Sequence, residues 1–315
     1  MQLSYFLDSR TFAFIYLLKK CVHDADTVAK AALSEYAMPQ ITDPDFQYLR
    51  QLVYDQSSIQ LGEEKKEMVC TRLNNRLTRL GLASVEEYCA LLKSNAEPGE
   101  ITHLIDALST NFTTFFREIE HFKFLKEQIV PEFLAGSLLH SQGPFRAWSA
   151  ACSTGEEPYS MAIVLAACFQ VIDPASWQIF ASDISTRVLE KATRGIYEEN
   201  RVQLPNPAWL ARYFQKGQGE WEGHYRVKRA LRDQITFEHM NLLQPGLRMS
   251  ERYHLIFCRN VMIYFDQATT ELLAERLCHQ LQEGGYLIIG HAESLPQKPR
   301  GLKQIKPSIF RKISS

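Results

Sequence analysis

The feature that most limits how this chain can fold is the stretch FRAWSAACSTGEEPYSMAIVLAA, residues 145–167. FRAWSAAC is apolar and favours a strand, STGEE is a short polar turn, and from Pro158 onward the apolar residues have helical spacing. Ser153 and Thr154 each precede a glutamate by three residues, which predicts a capping box at the helix start, and Pro158 suits a first helical turn. A strand that enters a helix through one glycine is the usual cofactor corner of an α/β sheet.

The residues of this corner limit what the cofactor can be. Gly155 stands alone, so neither GxGxxG nor GxxxxGK[ST] is present. Glu156 and Glu157 stand where a phosphate would have to dock. A helix start attracts an anion, but two carboxylates already placed there would repel a phosphate. We therefore expect a neutral or cationic ligand, and S-adenosylmethionine fits because it carries a sulfonium and an ammonium group and no phosphate. The alternative is that both glutamates only cap the helix.

Composition excludes several classes of protein. With 315 residues, 45% of them apolar, the chain can bury one large core or two modest ones. A net charge of −1 predicts no nucleic-acid partner without a local basic patch. The seven cysteines are scattered without CxxC spacing, which predicts no metal site, no disulfide framework and a cytoplasmic location. The apolar run at residues 12–18 is too short to span a bilayer, so we expect no membrane insertion.

Periodicity divides the chain into parts. Residues 1–40 form an N-terminal extension without an assigned role, and residues 41–125 have the apolar spacing of a small helical domain. In residues 126–315, apolar strands alternate with helices, which predicts a doubly wound, largely parallel α/β sheet. The glycine-rich segment KGQGEWEGHYRVKR predicts a hairpin inserted at about residues 200–234, and an ordinary loop is the alternative.

Polar residues gather where the predicted strands end. They are Glu156, Glu157, Asp183, Asn241, Arg259 and Asn260. Ligands of doubly wound sheets bind at the carboxyl edge, so these side chains should converge. An acid at the end of the second strand, here Asp183, is placed to hold ribose hydroxyls.

A second polar group lies among aromatic residues in LIDALSTNFTTFFREIEHFKF, residues 104–124. The pattern predicts a helix that ends near Ser109, a polar break and a second helix rich in phenylalanine. Asn111, Thr113 and Arg117 are polar residues in surroundings that should be largely buried, and buried polar groups need partners. They could line a pocket, or Asn111 could serve only a local turn.

A basic helix face is also visible. Arg72, Arg76 and Arg79 recur at i, i+4 and i+7, with Lys65 and Lys66 one or two turns earlier. This face could dock an acidic partner. A solvated helix face is the commoner meaning of such a charge run.

Six motifs together are specific: TNFTTFFRE, WSAACSTGEEPYS, FASDIS, NLL, FCRNVMIYF and GHAES. The chain resembles the CheR-type chemoreceptor methyltransferases from about residue 43 to residue 312. The resemblance implies a class I S-adenosylmethionine-dependent methyltransferase with a mostly parallel seven-stranded sheet, a small N-terminal all-helical domain and an inserted β-subdomain. It implies methyl esterification of glutamate side chains on bacterial chemoreceptors, for chemotactic adaptation, with S-adenosylhomocysteine as the second product.

The resemblance also implies site residues. The cofactor contacts carried over are Asn111, Thr113, Arg117, Glu157, Asp183, Asn241, Leu242, Arg259 and Asn260. Arg117 is expected to act as an electrostatic clamp on the acceptor carboxylate, with Tyr264 as a hydrogen-bonding wall. Ser153 departs from the family pattern, since many members have glycine there and serine has less backbone freedom.

The partner implied is the cytoplasmic domain of a methyl-accepting receptor, docked on Arg72, Arg76 and Arg79. The β-subdomain resembles the longer form that in some members grips the receptor's C-terminal peptide. We expect the chain to act as a monomer. Two alternatives remain: a non-catalytic sensor or scaffold that binds S-adenosylmethionine, and a methyltransferase for another acceptor.

Overall fold

The structure is a computed structural model that describes residues 40–97, 99–136, 143–173, 175–244 and 251–313. The predicted extension, residues 1–40, lies outside the described residues except for its last position. The described chain begins with four helices, as the periodicity from residue 41 onward predicts. The helices are α1 (Asp43–Ser57), α2 (Lys66–Leu80), α3 (Val85–Ser94) and α4 (Glu100–Leu108).

Local sequence explains where these helices begin and end. The Thr42 side chain accepts a hydrogen bond from the Asp45 amide at the start of α1, and Ser84 accepts one from Glu87 at the start of α3. Gly81, with φ 66°, ends α2. Each helix packs one apolar face into a core that the four helices share, built around Phe46, Leu73, Tyr88 and Leu104.

The phenylalanine-rich segment differs from the prediction. The second helix, α5 (Ile119–Phe124), begins later than expected, and a π-helical turn (Leu125–Ile129) joins it to α6 (Val130–Leu134). Residues 110–118 form a loop instead, in which Phe116 and Glu118 have φ values of 54° and 56° that a helix cannot contain. The prediction failed because Phe112 is 74% exposed, and the two phenylalanines that are buried do not pack in a helix but against the sheet domain. Phe115 and Phe116 both belong to its core.

The remaining elements form the α/β domain and its insertion. The strands are β1 (Phe145–Ala150), β2 (Trp177–Asp183), β3 (Ile196–Glu198), β4 (Phe214–Lys216), β5 (His224–Val227), β6 (Ile235–His239), β7 (Tyr253–Cys258), β8 (Leu281–Ile289), β9 (Leu302–Lys306) and β10 (Ile309–Lys312). The helices are α7 (Glu156–Phe169), α8 (Thr186–Arg194), α9 (Ala208–Tyr213), α10 (Arg229–Arg232) and α11 (Gln267–Gln280).

Seven strands form one sheet in the order β6-β2-β1-β7-β8-β10-β9. The pairs among β6, β2, β1, β7 and β8 are parallel, and β10 is antiparallel to both of its neighbours. This confirms the mostly parallel, doubly wound sheet. Both faces are covered: Leu255 and Phe257 of β7 face one core, while Ile256 and Cys258 face the other. Within the part of the chain that the structure describes, no helix has the length and apolar character to cross a membrane.

The insertion is a three-stranded antiparallel sheet in the order β3-β5-β4. The predicted hairpin is present as β4 and β5, but the sheet starts at Ile196, earlier than the predicted residue 200. Gly195, at φ 60°, ends α8 in the left-handed conformation and turns the chain directly into β3. Tyr197 of β3 donates a hydrogen bond to the Thr154 carbonyl at 2.7 Å, so the subdomain packs on the turn after β1.

Candidate active site

A cleft of about 290 Å³ lies between the helical domain and the carboxyl edge of the sheet. Its lining comes from the α1–α2 connection, the 108–113 segment, and the ends of β1, β2, β6 and β7. It includes ten side chains that the sequence proposed for the site: Asn111, Thr113, Arg117, Glu157, Asp183, Asn241, Leu242, Arg259, Asn260 and Tyr264. Residues far apart in the chain thus meet at one edge, although which of them touches a ligand stays a prediction.

The turn between β1 and α7 gives the cleft one wall. Gly155 (φ 94°) is the N-cap of α7, and a Cβ there would lie 2.9 Å from both the Ala192 Cβ and the Tyr197 hydroxyl. Only glycine fits this position. The predicted capping box is wrong, because no side chain caps this helix. Ser153, itself at φ 50°, donates its hydroxyl to the Asn111 carbonyl at 2.8 Å and so ties the turn to the 110–118 loop.

The two glutamates of this corner point in different directions. Glu157 lines the cleft, whereas Glu156 is fully buried away from it, accepts a hydrogen bond from Thr154 and pairs with Arg201. Burial raises the pKa of both carboxyls above the ordinary value for glutamate. Because only Glu157 lines the cleft, we expect it and not Glu156 to face a bound ligand.

Asp183 at the end of β2 holds two turns together. Its carboxylate accepts the Ser153 amide at 2.8 Å and the Ser185 amide at 2.9 Å. Burial raises the pKa of this carboxyl, and the two amide hydrogen bonds oppose that rise. Since the carboxylate also lines the cleft, it can accept further hydrogen bonds from hydroxyl groups of a ligand.

An ion-pair cluster centred on Arg259 forms the floor. The Arg259 side chain is 1% exposed, and its guanidinium donates to Glu157 and to Glu118, each at 3.0 Å. Glu157 also accepts the Ser149 hydroxyl at 2.7 Å. Burial raises the pKa of Glu118, but the Arg259 charge and hydrogen bonds outweigh it, so that pKa lies below its ordinary value. Two carboxylates thus share one guanidinium, and of these two only Glu157 lines the cleft.

This floor fits S-adenosylmethionine. The two carboxylates that line the cleft, Glu157 and Asp183, favour a sulfonium and an ammonium group. The Arg259 Nε is buried without a hydrogen-bond partner among the described residues, and it belongs to a side chain that lines the cleft. A buried N–H of this kind needs an acceptor, and the cofactor's carboxylate would provide one.

Arg117 and Tyr264 face the cleft from separate segments. Arg117 is half-buried and donates to the Phe112 carbonyl at 3.0 Å across its own loop. Tyr264 is half-buried too, and Lys65 lies 5.6 Å above its ring. The hydroxyl of Tyr264 makes no hydrogen bond to any residue that the structure describes, so it is available to a ligand.

Asn241 is engaged by the protein itself. Its amide nitrogen donates to the Gln56 carbonyl of α1 at 2.9 Å, and its side-chain oxygen accepts the Leu243 amide at 2.9 Å. It joins the end of β6 to the helical domain. Any cofactor contact at this position stays a prediction.

The basic helix face carries less free charge than its sequence suggests. Arg72 donates to the carbonyls of Leu108 and Ser109 at 2.7 and 3.1 Å, and Arg76 pairs with buried Glu100. Arg79 is exposed and, among the described residues, makes no ion pair. All three arginines do line one cleft, as their spacing predicts. The Arg76 charge is compensated by Glu100, and a role of these arginines in docking stays a prediction.

Sequence reasoning missed two acids. Glu118 follows Arg117 in TNFTTFFRE and binds Arg259 and the Asn260 side chain, the latter at 3.2 Å. Glu293 of GHAES accepts backbone amides of the segment after β7. Both lie in motifs that are visible in the sequence. Their partners, however, depend on backbone positions that the motifs do not specify.

Three side chains beside the floor offer ligand atoms within 4.8 Å of one another, namely Glu118, His121 and His291. The Glu118 Oε2 already accepts hydrogen bonds from Arg259 at 3.0 Å and from the His291 amide at 3.2 Å. The nearby guanidinium opposes a further cation. We assign no metal here, and the expectation of a metal-free site stays a prediction.

The fold and the cleft define a class. A mostly parallel seven-stranded sheet with an acidic cofactor corner and no phosphate-binding loop belongs to the class I S-adenosylmethionine-dependent methyltransferases. Residues 111–310 match the family described as CheR methyltransferase, SAM binding domain, and residues 44–109 match CheR methyltransferase, all-alpha domain. The chain belongs to the CheR methyltransferase family, and its cofactor is S-adenosylmethionine.

Individual relatives support the same family. The chemotaxis protein methyltransferase of Salmonella typhimurium is 41% identical over 254 residues, which cover 81% of this chain and 85% of the relative. That of Escherichia coli is 41% identical over 260 residues, 82% of this chain and 87% of the relative. Chemotaxis protein methyltransferase 2 of Pseudomonas aeruginosa is 40% identical over 270 residues, 85% and 93% of the two chains.

Proposed function

We propose that this chain is a protein-glutamate O-methyltransferase that esterifies glutamate side chains in the cytoplasmic domain of bacterial chemoreceptors. The observation that carries the proposal is the cleft itself. The carboxylates of Glu157 and Asp183 line it and suit a sulfonium, while Arg117 and Tyr264 line the same cavity and suit an anionic acceptor. The products would be glutamate 5-O-methyl ester and S-adenosylhomocysteine.

The chemistry requires little from the protein beyond placement. When bound, S-adenosylmethionine supplies a methyl group on sulfur, and attack by a carboxylate oxygen forms the C–O bond while the electron pair of the broken C–S bond returns to sulfur. A glutamate is already ionised near neutral pH, so no general base is needed. Arg117 and Tyr264 orient the acceptor, and the surrounding apolar residues exclude water.

Acceptor docking would use the surface beside the cleft. Arg72 lines both the active-site cleft and the neighbouring cleft that contains Arg76 and Arg79, so the two are continuous. Arg187 of α8 lines the second cleft as well. An acidic receptor helix that lies in the second cleft would bring a glutamate to the first.

We also propose that the β-subdomain binds the C-terminal peptide of the receptor. Strand β4 pairs only with β5 among the described residues, so its outer edge is open to an added strand. Trp221, 48% exposed, lies close to Gly217, the residue that follows β4, and offers an apolar surface to a peptide. Isothermal titration of a receptor with and without its last residues tests this, and equal affinities would contradict it.

The central test is incubation of the chain with methyl-labelled S-adenosylmethionine and receptor cytoplasmic fragments. We expect label in the receptor that is released as methanol by base, as esters require. Receptor fragments whose acceptor glutamates are replaced by glutamine are the control and should stay unlabelled. Cofactor binding without transfer would favour a non-catalytic sensor, and base-stable label would point to another acceptor group. Light scattering in the same buffer tests whether the chain acts as a monomer.

A further inference from the structure

Glu293 lies in the turn after β8 and is 9% exposed. Its carboxylate accepts four backbone amides. One oxygen binds Gly290 and Asn260 at 2.6 and 2.9 Å, and the other binds Val261 and Met262 at 2.8 and 2.7 Å. Charge-assisted hydrogen bonds of this kind are stronger than neutral ones, and here they hold three consecutive residues.

Those residues begin the segment that leaves β7 and passes along the cleft. Asn260 lines the cleft and has φ 59°, a conformation that is unfavourable for a residue with a side chain. The Tyr264 amide donates to the Val261 carbonyl at 3.1 Å, so the position of Tyr264 follows from that of Val261. The Glu293 carboxylate therefore fixes the point from which both cleft side chains project.

Gly290 shows how closely this turn approaches the segment. A Cβ added there would lie 2.6 Å from the Asn260 Nδ2, 2.9 Å from the Glu293 Oε2 and 3.0 Å from the Asn260 amide nitrogen. A side chain at position 290 would displace either the asparagine or the carboxylate that holds it. The glycine and the glutamate of GHAES thus serve the same contact.

We propose that Glu293 is a positioning residue for the methyl-transfer site: it places Asn260 for cofactor binding and Tyr264 for the acceptor without touching either ligand. The Tyr264 part rests on the proposed function. The Asn260 part depends only on cofactor binding, so it can be tested without any receptor.

The test is the affinity for S-adenosylhomocysteine, measured by titration calorimetry on the full chain. Glu293→Gln keeps the shape but turns an NH₂ donor toward backbone amides. We expect about 10- to 100-fold weaker binding, because small misplacements at a site carry losses of this order. Glu132→Gln is the matched control: Glu132 accepts the Tyr286 hydroxyl at 2.8 Å and pairs with Arg311, distant from the cleft, and its replacement should lower only the melting temperature.

A double-variant cycle separates positioning from general stability. Asn260→Gly removes the side chain while tolerating the positive φ. If Glu293 acts through Asn260, adding Glu293→Gln to Asn260→Gly should weaken binding by less than about threefold. The proposal would be overturned if the weakening factors of the two single variants multiplied in the double variant, or if Glu293→Gln bound with wild-type affinity. Should Glu293→Gln fail to fold, Gly290→Ala provides the test, and unchanged affinity in that variant has the same meaning.

Discussion

Replacing Arg259 by methionine should destabilise the protein strongly at neutral pH. The guanidinium is almost fully buried and is the cation shared by Glu157 and Glu118, each 3.0 Å away. Methionine fills similar space but leaves two largely buried carboxylates, 12% and 16% exposed, without their counter-ion. Removal of one partner of a buried ion pair costs about 3 to 5 kcal/mol. That loss is a large part of the total stability of about 5 to 15 kcal/mol expected of a domain.

The loss should depend on pH with a definite sign. Burial already raises the pKa of Glu157, and Arg259 opposes that rise. Without Arg259 the pKa of this carboxyl rises further. A carboxyl whose folded-state pKa exceeds its unfolded value of about 4.3 weakens the fold as it ionises. Stability of the variant is therefore lost as pH rises through the raised pKa, and the deficit relative to wild type should shrink as pH falls from about 7.5 toward 5.

Urea denaturation of both proteins across this pH range is the assay. Adding Glu157→Gln to Arg259→Met is the internal control, because it removes one of the two uncompensated carboxylates and should restore part of the stability and flatten the pH dependence. An Arg259→Met variant as stable as wild type at pH 7.5, or one whose deficit grows as pH falls, would refute the assignment of Arg259 as the counter-ion of both acids.

Four further predictions concern binding, turnover and stability. Asp183→Ala should weaken S-adenosylhomocysteine binding by about 1 to 3 kcal/mol in calorimetry through unpaired ribose hydroxyls, and neither NAD nor ATP should bind wild type. Arg117→Ala should lower kcat more than it raises the KM for receptor in a labelled-methyl assay, and an unchanged rate would remove Arg117 from the site. Arg79→Glu should raise the KM for receptor and reduce the salt dependence of the reaction while cofactor affinity stays constant. Arg76→Glu should instead lower the melting temperature, because it leaves Glu100 buried without its partner.

The sheet and its cleft could be predicted because they rest on patterns that are local in the sequence. Apolar strands alternate with helices, and polar residues follow the strands, so the carboxyl edge and Asp183 could be located in advance. The helical domain follows from apolar spacing and from caps such as Ser84. These features require no knowledge of which distant residues meet.

The loop at residues 110–118 could not be predicted for the opposite reason. FTTFFRE has the composition of a buried helix, but Phe116 and Glu118 are held in left-handed conformations by contacts that come from elsewhere in the chain. The Phe116 amide donates to Ser160 of α7 at 3.0 Å, and Glu118 binds Arg259 at the end of β7. The spacing of apolar residues does not indicate hydrogen bonds to residues that lie 44 and 141 positions away.

The charges that face the cleft also depend on contacts between distant residues, which the sequence pattern does not indicate. Glu156 and Glu157 are adjacent in sequence, and together they suggested a doubly acidic corner. Consecutive helical residues project about 100° apart, so only Glu157 can face the cleft while Glu156 pairs with Arg201 on the other side. The second acid that lines the cleft is Asp183 at the end of β2, and Arg259 binds Glu157 from the end of β7. We thus expect the cationic groups of the cofactor to meet carboxylates from two separate segments, not the two neighbouring glutamates that first indicated a cationic ligand.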